Sequence, residues 1–468
     1  MTSGKQELLE QFRRKKRLAL GIGAGLFLIA GIGITWWIPI PLALLGWIAH
    51  EAWFSDHFFY PADADYRYDF GDAPSVDLLL RDGQLSLNGQ LPSGDTYILE
   101  LRIISDWRSR FLDPHVIIGG ERFDFEHAAK GRRFIDLSKH AQALADRELT
   151  FKARYCRIDG EMRLTAFRNA DFTRKRLMIL APHADDAELA AFGVYRHTHD
   201  VLIVTLTQGE TEAEDYLKLG LDLPSCAQLK GRLRAWDSIA IPLWGGVAPE
   251  NCLQLGYYGM QLAGMRKQPD SPLGSRISGN SDIREVRGWN KRRLPSDGDG
   301  SPTWNNLIAD LAFLLDDFHP EAVITPHPRI DPHPDHVATT QALKEAAKRS
   351  QWKFEAVLFY ANHLHDNDRW PMGPAGEGIT LPPVFNADER EAFWSLRLPP
   401  EMQIDKAMAL AMHHDLMPRI PLKKRIRRHI QALLAGRQWP PTGENEFFRK
   451  AVRSSELFHV RLTKDFLS

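Results

Sequence analysis

The chain has 468 residues, of which 44% are hydrophobic and 25% are charged, as is typical of a globular protein with two or three domains. Its formal net charge is -1, so it lacks the basic surplus of a nucleic-acid-binding protein, and no nucleic acid is expected as a partner. The three cysteines, Cys156, Cys226 and Cys252, form no C-x-x-C pair and support neither a disulfide framework nor a cysteine zinc site.

A long apolar stretch near the N-terminus predicts a membrane anchor. A basic cluster, Arg13 to Arg17, precedes uncharged residues from Leu18 to Ala49. As a single helix this stretch would be about 48 Å long, which exceeds the roughly 30 Å of a bilayer's hydrocarbon core. Pro39 and Pro41 follow two tryptophans and mark a break in the stretch. We therefore predict a transmembrane helix over Leu18 to Ile38, followed by a second, poorer apolar segment.

This anchor is compatible with two topologies. A single span with the basic cluster inside would place the bulk of the protein across the membrane, whereas a helical hairpin would return it to the cytoplasmic side. The well-marked break favours the hairpin, and a single span remains the alternative.

Short segments of alternating polarity follow, from about Tyr66 to Phe172. The clearest runs from Tyr97 to Ile104, and turn signals such as Asp82-Gly83 and Asn88-Gly89 separate the segments. Several short strands at this spacing are typical of an antiparallel β-sandwich domain. A sandwich here would either bind glycan or hold the rest of the chain away from the membrane, and the second role is favoured.

Strands and helices alternate after Arg174. Buried strands are predicted at Leu177–Leu180, Val201–Thr205 and Ala322–Thr325, with a helix over Asn305 to Phe318. This alternation predicts an α/β domain with a Rossmann-like, mostly parallel sheet, whose functional site lies at the carboxyl ends of the strands.

Three domains are expected from these patterns. Residues 1–60 would form the basic N-terminus and membrane anchor, residues 61–173 the β-sandwich, and residues 174–468 the α/β domain with a C-terminal basic helix. The loop from about Arg266 to Ser301 is rich in Gly, Ser, Asp and Arg, and it is either a lid over the site or a mobile surface insertion.

Two polar motifs stand after predicted strands. The first is His183-Ala184-Asp185-Asp186-Ala187-Glu188, and the second ends in His333-Pro334-Asp335-His336. Imidazole and carboxylate groups suit zinc, and three protein ligands leave a position for a water whose pKa falls to near 7. A nearby carboxylate can take the proton of that water and pass one to a departing amine. The motif H-E-x-x-H is absent, which excludes the common helical metalloprotease site.

Together the two motifs resemble the PIG-L/LmbE-like family of zinc-dependent de-N-acetylases. That family carries H-P/A-D-D-x-E after its first strand and H-x-D-H far downstream, and the resemblance covers roughly Lys175 to Pro418. It implies an amide hydrolase with Asp185 as the general base and His333 as the group that stabilises the oxyanion. It also implies these ligands for Zn²⁺, or for another divalent metal: His183, Asp186 and His336. Neighbouring polar residues are interpreted as supporting groups: Glu188, His327, Asp331 and Asp335.

Three shorter segments also resemble the family. They are Thr207-Gln208-Gly209-Glu210, like its T-x-G-E turn, Arg234-x-x-Asp237, like its R-x-x-E, and Leu255-Gly256-Tyr257-Tyr258, like its LGY-type segment. They imply that Glu210, Arg234 and Tyr257 bind substrate. The aspartate at 237 departs from the family pattern, as do Ala190 and Ala191, where relatives often have glycine.

The resemblance implies hydrolysis of an N-acetyl group from an N-acetylhexosamine unit. The anchor favours N-acetylglucosamine in a lipid-linked or cell-envelope glycan, such as lipopolysaccharide core, so the expected partners are an N-acetylated glycan or glycolipid and the membrane. Two alternatives are a deacetylase of a small amino-sugar conjugate and a catalytically degenerate, glycan-binding membrane scaffold.

The location follows from the anchor and from a basic helix near the C-terminus. We expect a bacterial-type inner (cytoplasmic) membrane, with the catalytic domain on the cytoplasmic side. The basic amphipathic pattern over Leu422 to Leu434 would either lie on an anionic membrane or form a solvated surface helix. The oligomeric state is left open by the sequence.

Overall fold

The computed structural model describes residues 39–468 apart from 57, 147–148, 199 and 365, together with a few residues between 10 and 25. The predicted transmembrane helix, Leu18 to Ile38, lies mostly outside the described residues. Within them, no helix is long and apolar enough to cross a membrane, and helix α1, Pro39–Trp53, has 15 residues. Among the described residues, this finding contradicts the predicted transmembrane segment and the inner-membrane location that was based on it.

The larger of the two sheets is antiparallel and has nine strands, all between residues 75 and 167. Its strands are β1 Ser75–Arg81, β2 Gln84–Leu87, β3 Thr96–Ser105, β4 His115–Ile118, β5 Glu121–Asp124, β6 Lys130–Asp136, β7 Leu149–Arg154, β8 Cys156–Ile158 and β9 Met162–Phe167. They follow the order β5-β4-β7-β2-β1-β9-β3-β6, and β8 pairs with β3.

This sheet curls into a nearly closed barrel because one chain segment pairs with two distant parts of it. Strand β7 pairs with β2 and β4, whereas β8, which follows after Tyr155, pairs with β3. Alternate residues of β3, such as Leu99 and Leu101, fill the barrel core, and Ile98 points outward against Phe393 of the other sheet. The predicted β-sandwich is therefore wrong, because the strands form one curled sheet and not two stacked ones.

The second sheet has seven strands in the order β12-β11-β10-β13-β14-β16-β15. They are β10 Leu177–Ala181, β11 Val201–Thr207, β12 Cys252–Tyr257, β13 Ala322–Pro326, β14 Ala356–Tyr360, β15 Ala392–Arg397 and β16 Ser455–Leu462. Strands β10 to β14 pair in parallel, whereas β16 pairs antiparallel with both β14 and β15.

The predicted fold class is thus corrected. The main sheet of the molecule is antiparallel and barrel-like, and the sheet that follows it is mixed, because two strands from the C-terminal part of the chain extend it in the antiparallel sense. A Rossmann-like, mostly parallel architecture with a preceding sandwich does not describe this protein.

Ten further α-helices lie in the described part of the chain. They are α2 Ala141–Ala145, α3 Asp186–His197, α4 Leu223–Trp244, α5 Leu262–Lys267, α6 Trp304–Phe318, α7 Pro334–Arg349, α8 Pro400–Met412, α9 Leu422–Ala435, α10 Glu446–Ala451 and α11 Thr463–Leu467. Helix α3 begins soon after β10, and α7 begins soon after β13, with a proline at its first position. Their N-termini therefore meet at one edge of the second sheet.

The two sheets contact each other through polar groups as well as through apolar packing. The Asp136 carboxylate of β6 accepts hydrogen bonds from the hydroxyls of Ser395 and Ser455, in β15 and β16. The backbone N–H of Ser395 donates to Thr96 of β3 at 3.0 Å. The antiparallel end of the second sheet is therefore fixed against the barrel.

Candidate metal centre and active site

Three side chains from two neighbouring strand ends converge at the carboxyl edge of the second sheet. His183 follows β10, Asp186 begins α3, and His336 lies in the first turn of α7, after β13. His183 Nδ1 lies 3.3 Å from Asp186 Oδ2 and 3.4 Å from His336 Nε2, and the last two atoms are 3.2 Å apart. Because β10 and β13 are adjacent and parallel, both strand ends lie on the same side of the sheet.

These three atoms are spaced as the ligands of one small metal ion. Ligand atoms about 2.0–2.1 Å from a tetrahedral zinc lie about 3.3–3.4 Å from each other, close to all three distances. Two imidazoles and one carboxylate also form a ligand set that zinc accepts, with a fourth position left for water. The residues present therefore fit the metal that the sequence predicts.

Hydrogen bonds to neighbouring groups orient each of the three side chains. His336 Nδ1 donates to Asp331 Oδ2 at 2.9 Å, which leaves the lone pair of Nε2 for a metal. His183 Nε2 lies 3.3 Å from Asp335 Oδ2, which places the imidazole proton there and frees Nδ1. Both histidine tautomers are thus the ones that metal binding requires.

The electrostatic environment of the three atoms favours a cation. Asp186 and His336 are no more than 1% exposed, and the carboxylates of Asp331 and Asp335 are also buried beside them. Burial by itself would lower the pKa of His183, but hydrogen bonds with Asp186 and Asp335 raise it to about 9. A divalent ion would provide the positive charge that this surrounding stabilises.

Asp185, immediately before the predicted ligand Asp186, is held by an arginine from α4. Arg234 Nη2 donates to Asp185 Oδ1 at 3.1 Å, and Arg234 Nη1 binds Asp415. Burial would raise the pKa of Asp185, but the Arg234 guanidinium holds it below its usual value. Asp185 is therefore a carboxylate at neutral pH, and its Oδ2 accepts no hydrogen bond from the part of the chain that the structure describes.

The turn after β11 requires a glycine at position 209. Its φ is +60°, and a Cβ atom at this position would lie 2.5 Å from Arg234 Nε. The turn thus needs glycine both for its left-handed backbone and for the close approach of the arginine.

His333 lies beside the metal-ligand atoms and can donate a hydrogen bond. Its Nδ1 accepts the backbone N–H of Asp335 at 3.3 Å, so the neutral ring carries its proton on Nε2. Burial and the nearby imidazoles of His183 and His336 lower the pKa of His333 to about 3. His333 is therefore a neutral donor, as an oxyanion-stabilising group should be.

The sequence analysis missed two residues at this site, Asn362 and His363. Asn362 Nδ2 donates to Asp186 Oδ1 at 2.8 Å, and the ring centroid of His363 lies 5.0 Å from that of His336. Both follow β14, a strand that the sequence analysis did not identify. A buried apolar run ending in Tyr360 could have indicated another strand end at the same edge.

The predicted substrate-binding residues occupy three different environments. Arg234 contacts the proposed base, as described above. Glu210 is buried, and its Oε2 accepts the backbone N–H of Gly259 at 2.9 Å, so it joins the loops after β11 and β12. Tyr257 belongs to the apolar core, with its hydroxyl 3.3 Å from Asp310 Oδ2. Direct contact with substrate stays a prediction for all three.

The loop between α5 and α6 is anchored to the domain core at its middle. Arg287 is buried and donates to the carbonyl of Leu255 at 2.8 Å, and it forms salt bridges with Asp297 and Asp310. Ile283 and Val286 of the same segment are fully or almost fully buried. These contacts hold the middle of the loop against the domain, which argues against a freely moving segment in either predicted role.

Residues 178–347 match the family model described as PIG-L: GlcNAc-PI de-N-acetylase. Two curated relatives are described as 1D-myo-inositol 2-acetamido-2-deoxy-alpha-D-glucopyranoside deacetylase, from Mycobacterium sp. (strain KMS) and Mycobacterium sp. (strain JLS). Each is 30% identical over 193 residues, which cover 38% of this chain and 52% of the relative. The chain thus spans about half the length of the curated relatives it matches.

A solved structure that resembles the chain is a deacetylase triple mutant involved in the teicoplanin biosynthetic pathway. The similarity covers 62% of this chain and 99% of that one, at 17% identity and a TM-score of 0.32. A TM-score this low supports no conclusion about shared architecture.

Proposed function

We propose that this chain, whose residues 178–347 form a PIG-L family domain, is a zinc-dependent de-N-acetylase that hydrolyses the N-acetyl group of an N-acetylhexosamine unit. One observation carries the proposal. His183 Nδ1, Asp186 Oδ2 and His336 Nε2 stand 3.2 to 3.4 Å apart, with the ionised Asp185 and the neutral donor His333 next to them. A metal triad, a base and an oxyanion donor are what amide hydrolysis needs.

Zinc, when bound, would supply an activated water and polarise the acetamide carbonyl. Asp185 would take the proton of the attacking water on Oδ2, while Arg234 holds Oδ1 at 3.1 Å and fixes the orientation of the carboxylate. The same carboxyl group would then protonate the departing amine, because the nitrogen needs a proton to leave. His333 would donate from Nε2 to the oxygen that gains negative charge as the carbonyl is attacked.

A sugar carrying an N-acetyl group is the substrate class that the family description and the two named relatives support. N-acetylglucosamine in a lipid-linked or cell-envelope glycan is the finer version of this proposal. In its support, α1 exposes Ile40, Leu42 and Leu45, each more than half exposed, and α1 packs against the basic helix α9. An acylated, anionic substrate would find both apolar and cationic partners on this surface.

A small soluble amino-sugar conjugate is the second candidate, because both named relatives are described as deacetylases of an inositol-linked acetamido sugar. The two candidates differ in which part of the substrate contributes binding affinity. A lipid-linked substrate would gain affinity from its acyl chains, whereas a small conjugate would bind through the sugar and its immediate substituent alone.

The experiment that tests the proposal measures acetate release by the purified full chain loaded with zinc. Substrates would be N-acetylglucosamine conjugates with and without a lipid tail. We expect acetate release, with Asp185→Asn slower by about 10²- to 10⁴-fold while zinc content stays near one per chain. Asp146→Asn, at an exposed helix end, is the matched control and should keep full activity. Zinc binding without turnover of any acetylated sugar would overturn the proposal and favour a degenerate scaffold.

A further inference from the structure

The two oxygens of the Asp186 carboxylate face different groups. Oδ2 lies 3.3 Å from His183 Nδ1 and 3.2 Å from His336 Nε2, and it accepts the backbone N–H of His183 at 2.9 Å. Oδ1 instead accepts a hydrogen bond from Asn362 Nδ2 at 2.8 Å. Oδ2 is therefore the oxygen that faces the position between the two imidazoles where a metal would lie.

Asn362 holds this carboxylate through a neutral group. A carboxylate oxygen only accepts hydrogen bonds, so the amide must turn its N–H donors towards Oδ1. The neighbouring carboxylate of Asp185 is held differently, because its partner is the guanidinium of Arg234 at 3.1 Å. The amide of Asn362 brings no positive charge to Asp186, so this hydrogen bond orients the predicted ligand without opposing a bound cation.

The backbone of Asn362 belongs to the same network as the predicted ligand His336. Its N–H donates to Asp331 Oδ2 at 3.0 Å, and that oxygen also accepts from His336 Nδ1 at 2.9 Å. Asn362 thus connects two predicted ligands through atoms that do not face the metal position. It follows β14 and lies outside residues 178–347, the part of the chain that matches the family model.

The orientation of an aspartate carboxylate decides how many ligand atoms it supplies. Its terminal torsion has a broad, roughly two-fold energy profile, so an aspartate that nothing holds turns readily. A carboxylate binds a metal through one oxygen or through both. Zinc prefers four ligands, whereas a site richer in oxygen ligands, with six of them, suits manganese or magnesium. A fixed Oδ1 therefore matters for which metal the site prefers.

We propose that Asn362 is a positioning residue that keeps Asp186 as a ligand through Oδ2 alone and so holds the metal at a low coordination number. The proposal rests on the zinc site of the proposed function and concerns the metal, not the acetylated substrate. Without the amide of Asn362, Oδ1 would turn towards the metal and add a ligand atom.

The test replaces zinc with cobalt(II) in the full chain, because cobalt(II) absorbs visible light strongly with four ligands and weakly with six. Asn362→Leu removes the amide, fills a similar volume and keeps the backbone N–H that Asp331 accepts. We expect weaker cobalt absorption in this variant. Its zinc affinity, measured by competition with a chelator, should fall by about 10- to 100-fold, and its manganese affinity should fall less.

Three further variants keep the test specific. Asn169→Leu is the matched control, because Asn169 Nδ2 donates to Asp95 Oδ1 at 2.7 Å, and it should leave cobalt absorption and zinc affinity unchanged. Asn362→Ala decides if circular dichroism shows that Asn362→Leu does not fold. His363 offers a nitrogen that lies within 4.8 Å of the Asp186 and His336 ligand atoms, so Asn362→Leu is also combined with His363→Ala. The weaker absorption should persist in that double variant, because the added ligand atom is Oδ1.

Unchanged cobalt absorption in the folded Asn362 variants would overturn the inference, and this is also the result expected if Asn362 only contacts substrate. Equal losses of zinc and manganese affinity with the same spectrum would assign Asn362 a purely structural role and overturn it as well. Recovery of the absorption on adding His363→Ala would make the imidazole the added ligand, against the proposal. The expected metal readouts without acetate release would refute only the proposed function, and acetate release with an unchanged spectrum would refute only this inference.

Discussion

Asp331 should control metal affinity without touching the metal. Its Oδ2 accepts hydrogen bonds from His336 Nδ1 at 2.9 Å and from the backbone N–H groups of Asn362 and His363 at 3.0 and 3.1 Å. Its Oδ1 accepts the backbone N–H of His333 at 3.1 Å. One buried carboxylate therefore fixes the ligand tautomer and the backbone of two loops that surround the site.

Two substitutions at this position separate these roles. Asp331→Ala leaves four donors, one buried and three partly buried, without an acceptor, and at about 1 kcal/mol each the free energy of unfolding should fall by about 4 kcal/mol. His336 would then be free to carry its proton on Nε2, so zinc affinity should fall by about 100-fold. Asp331→Asn can keep its amide oxygen towards the three donors of Oδ2 and mismatch only the N–H of His333. Its zinc affinity should fall by about tenfold, because the negative charge is lost while the tautomer is kept.

Zinc affinity would be measured by competition with a chromophoric chelator, and stability by urea unfolding of the metal-free chain. Asp316→Ala is the matched control, because Asp316 also accepts hydrogen bonds from Ser350 and Trp352, but away from the ligand cluster. It should lose stability and keep zinc affinity. The reasoning fails if Asp331→Ala binds zinc as tightly as the unchanged chain, or if Asp316→Ala loses as much zinc affinity for a similar loss of stability.

Arg234→Met should raise the pKa of Asp185, because the guanidinium holds the ionised carboxylate against the effect of burial. Since the base works above its pKa, the acidic limb of the rate–pH profile should move to higher pH, and an unmoved limb would contradict Arg234 as the cause. Gly209→Ala should abolish most activity, because the added Cβ would displace Arg234. Gly220→Ala is the control, because Gly220 also has a positive φ, +79°, but open space around it. This substitution should lower the free energy of unfolding by only about 1–2 kcal/mol and keep activity. Burial opposes ionisation of Glu446, but Arg449, Lys450 and Arg428 surround it and lower its pKa to about 2. The ionised carboxylate should therefore contribute about 3 kcal/mol to the free energy of unfolding above its unfolded pKa. This contribution should be lost as the pH falls from about 5 to 2. Urea unfolding of Glu446→Gln should show a correspondingly weaker acid dependence, and an unchanged dependence would assign the effect to another group.

The positions of the two polar motifs in the fold were predictable, because each motif occupies a short stretch at the end of a buried strand. His183 and Asp186 are three residues apart, and His336 follows a strand that the sequence also indicated. Parallel neighbours bring such ends together, so the spacing of the final atoms follows from local sequence and a simple topological rule. Contacts between residues of distant segments could not be predicted from the sequence in this way. The Arg234 side chain meets Asp185 only because α4 packs beside the end of β10, and nothing in the turn or helix sequence fixes that distance.

The two errors in architecture have a common physical origin. Alternating polarity specifies that a strand has one buried face, but a sandwich and a curled sheet bury that face equally well. What closes the barrel is the path of residues 149–158, which pair on one side with β2 and β4 and on the other with β3. Likewise, β15 and β16 extend the second sheet in the antiparallel sense, and Phe393 and Ser395 of β15 contact the barrel, a long-range contact that the local sequence does not show. Pairing partners far apart in the chain therefore decided the fold class, whereas the predicted metal ligands lie in two short segments that the sequence shows directly.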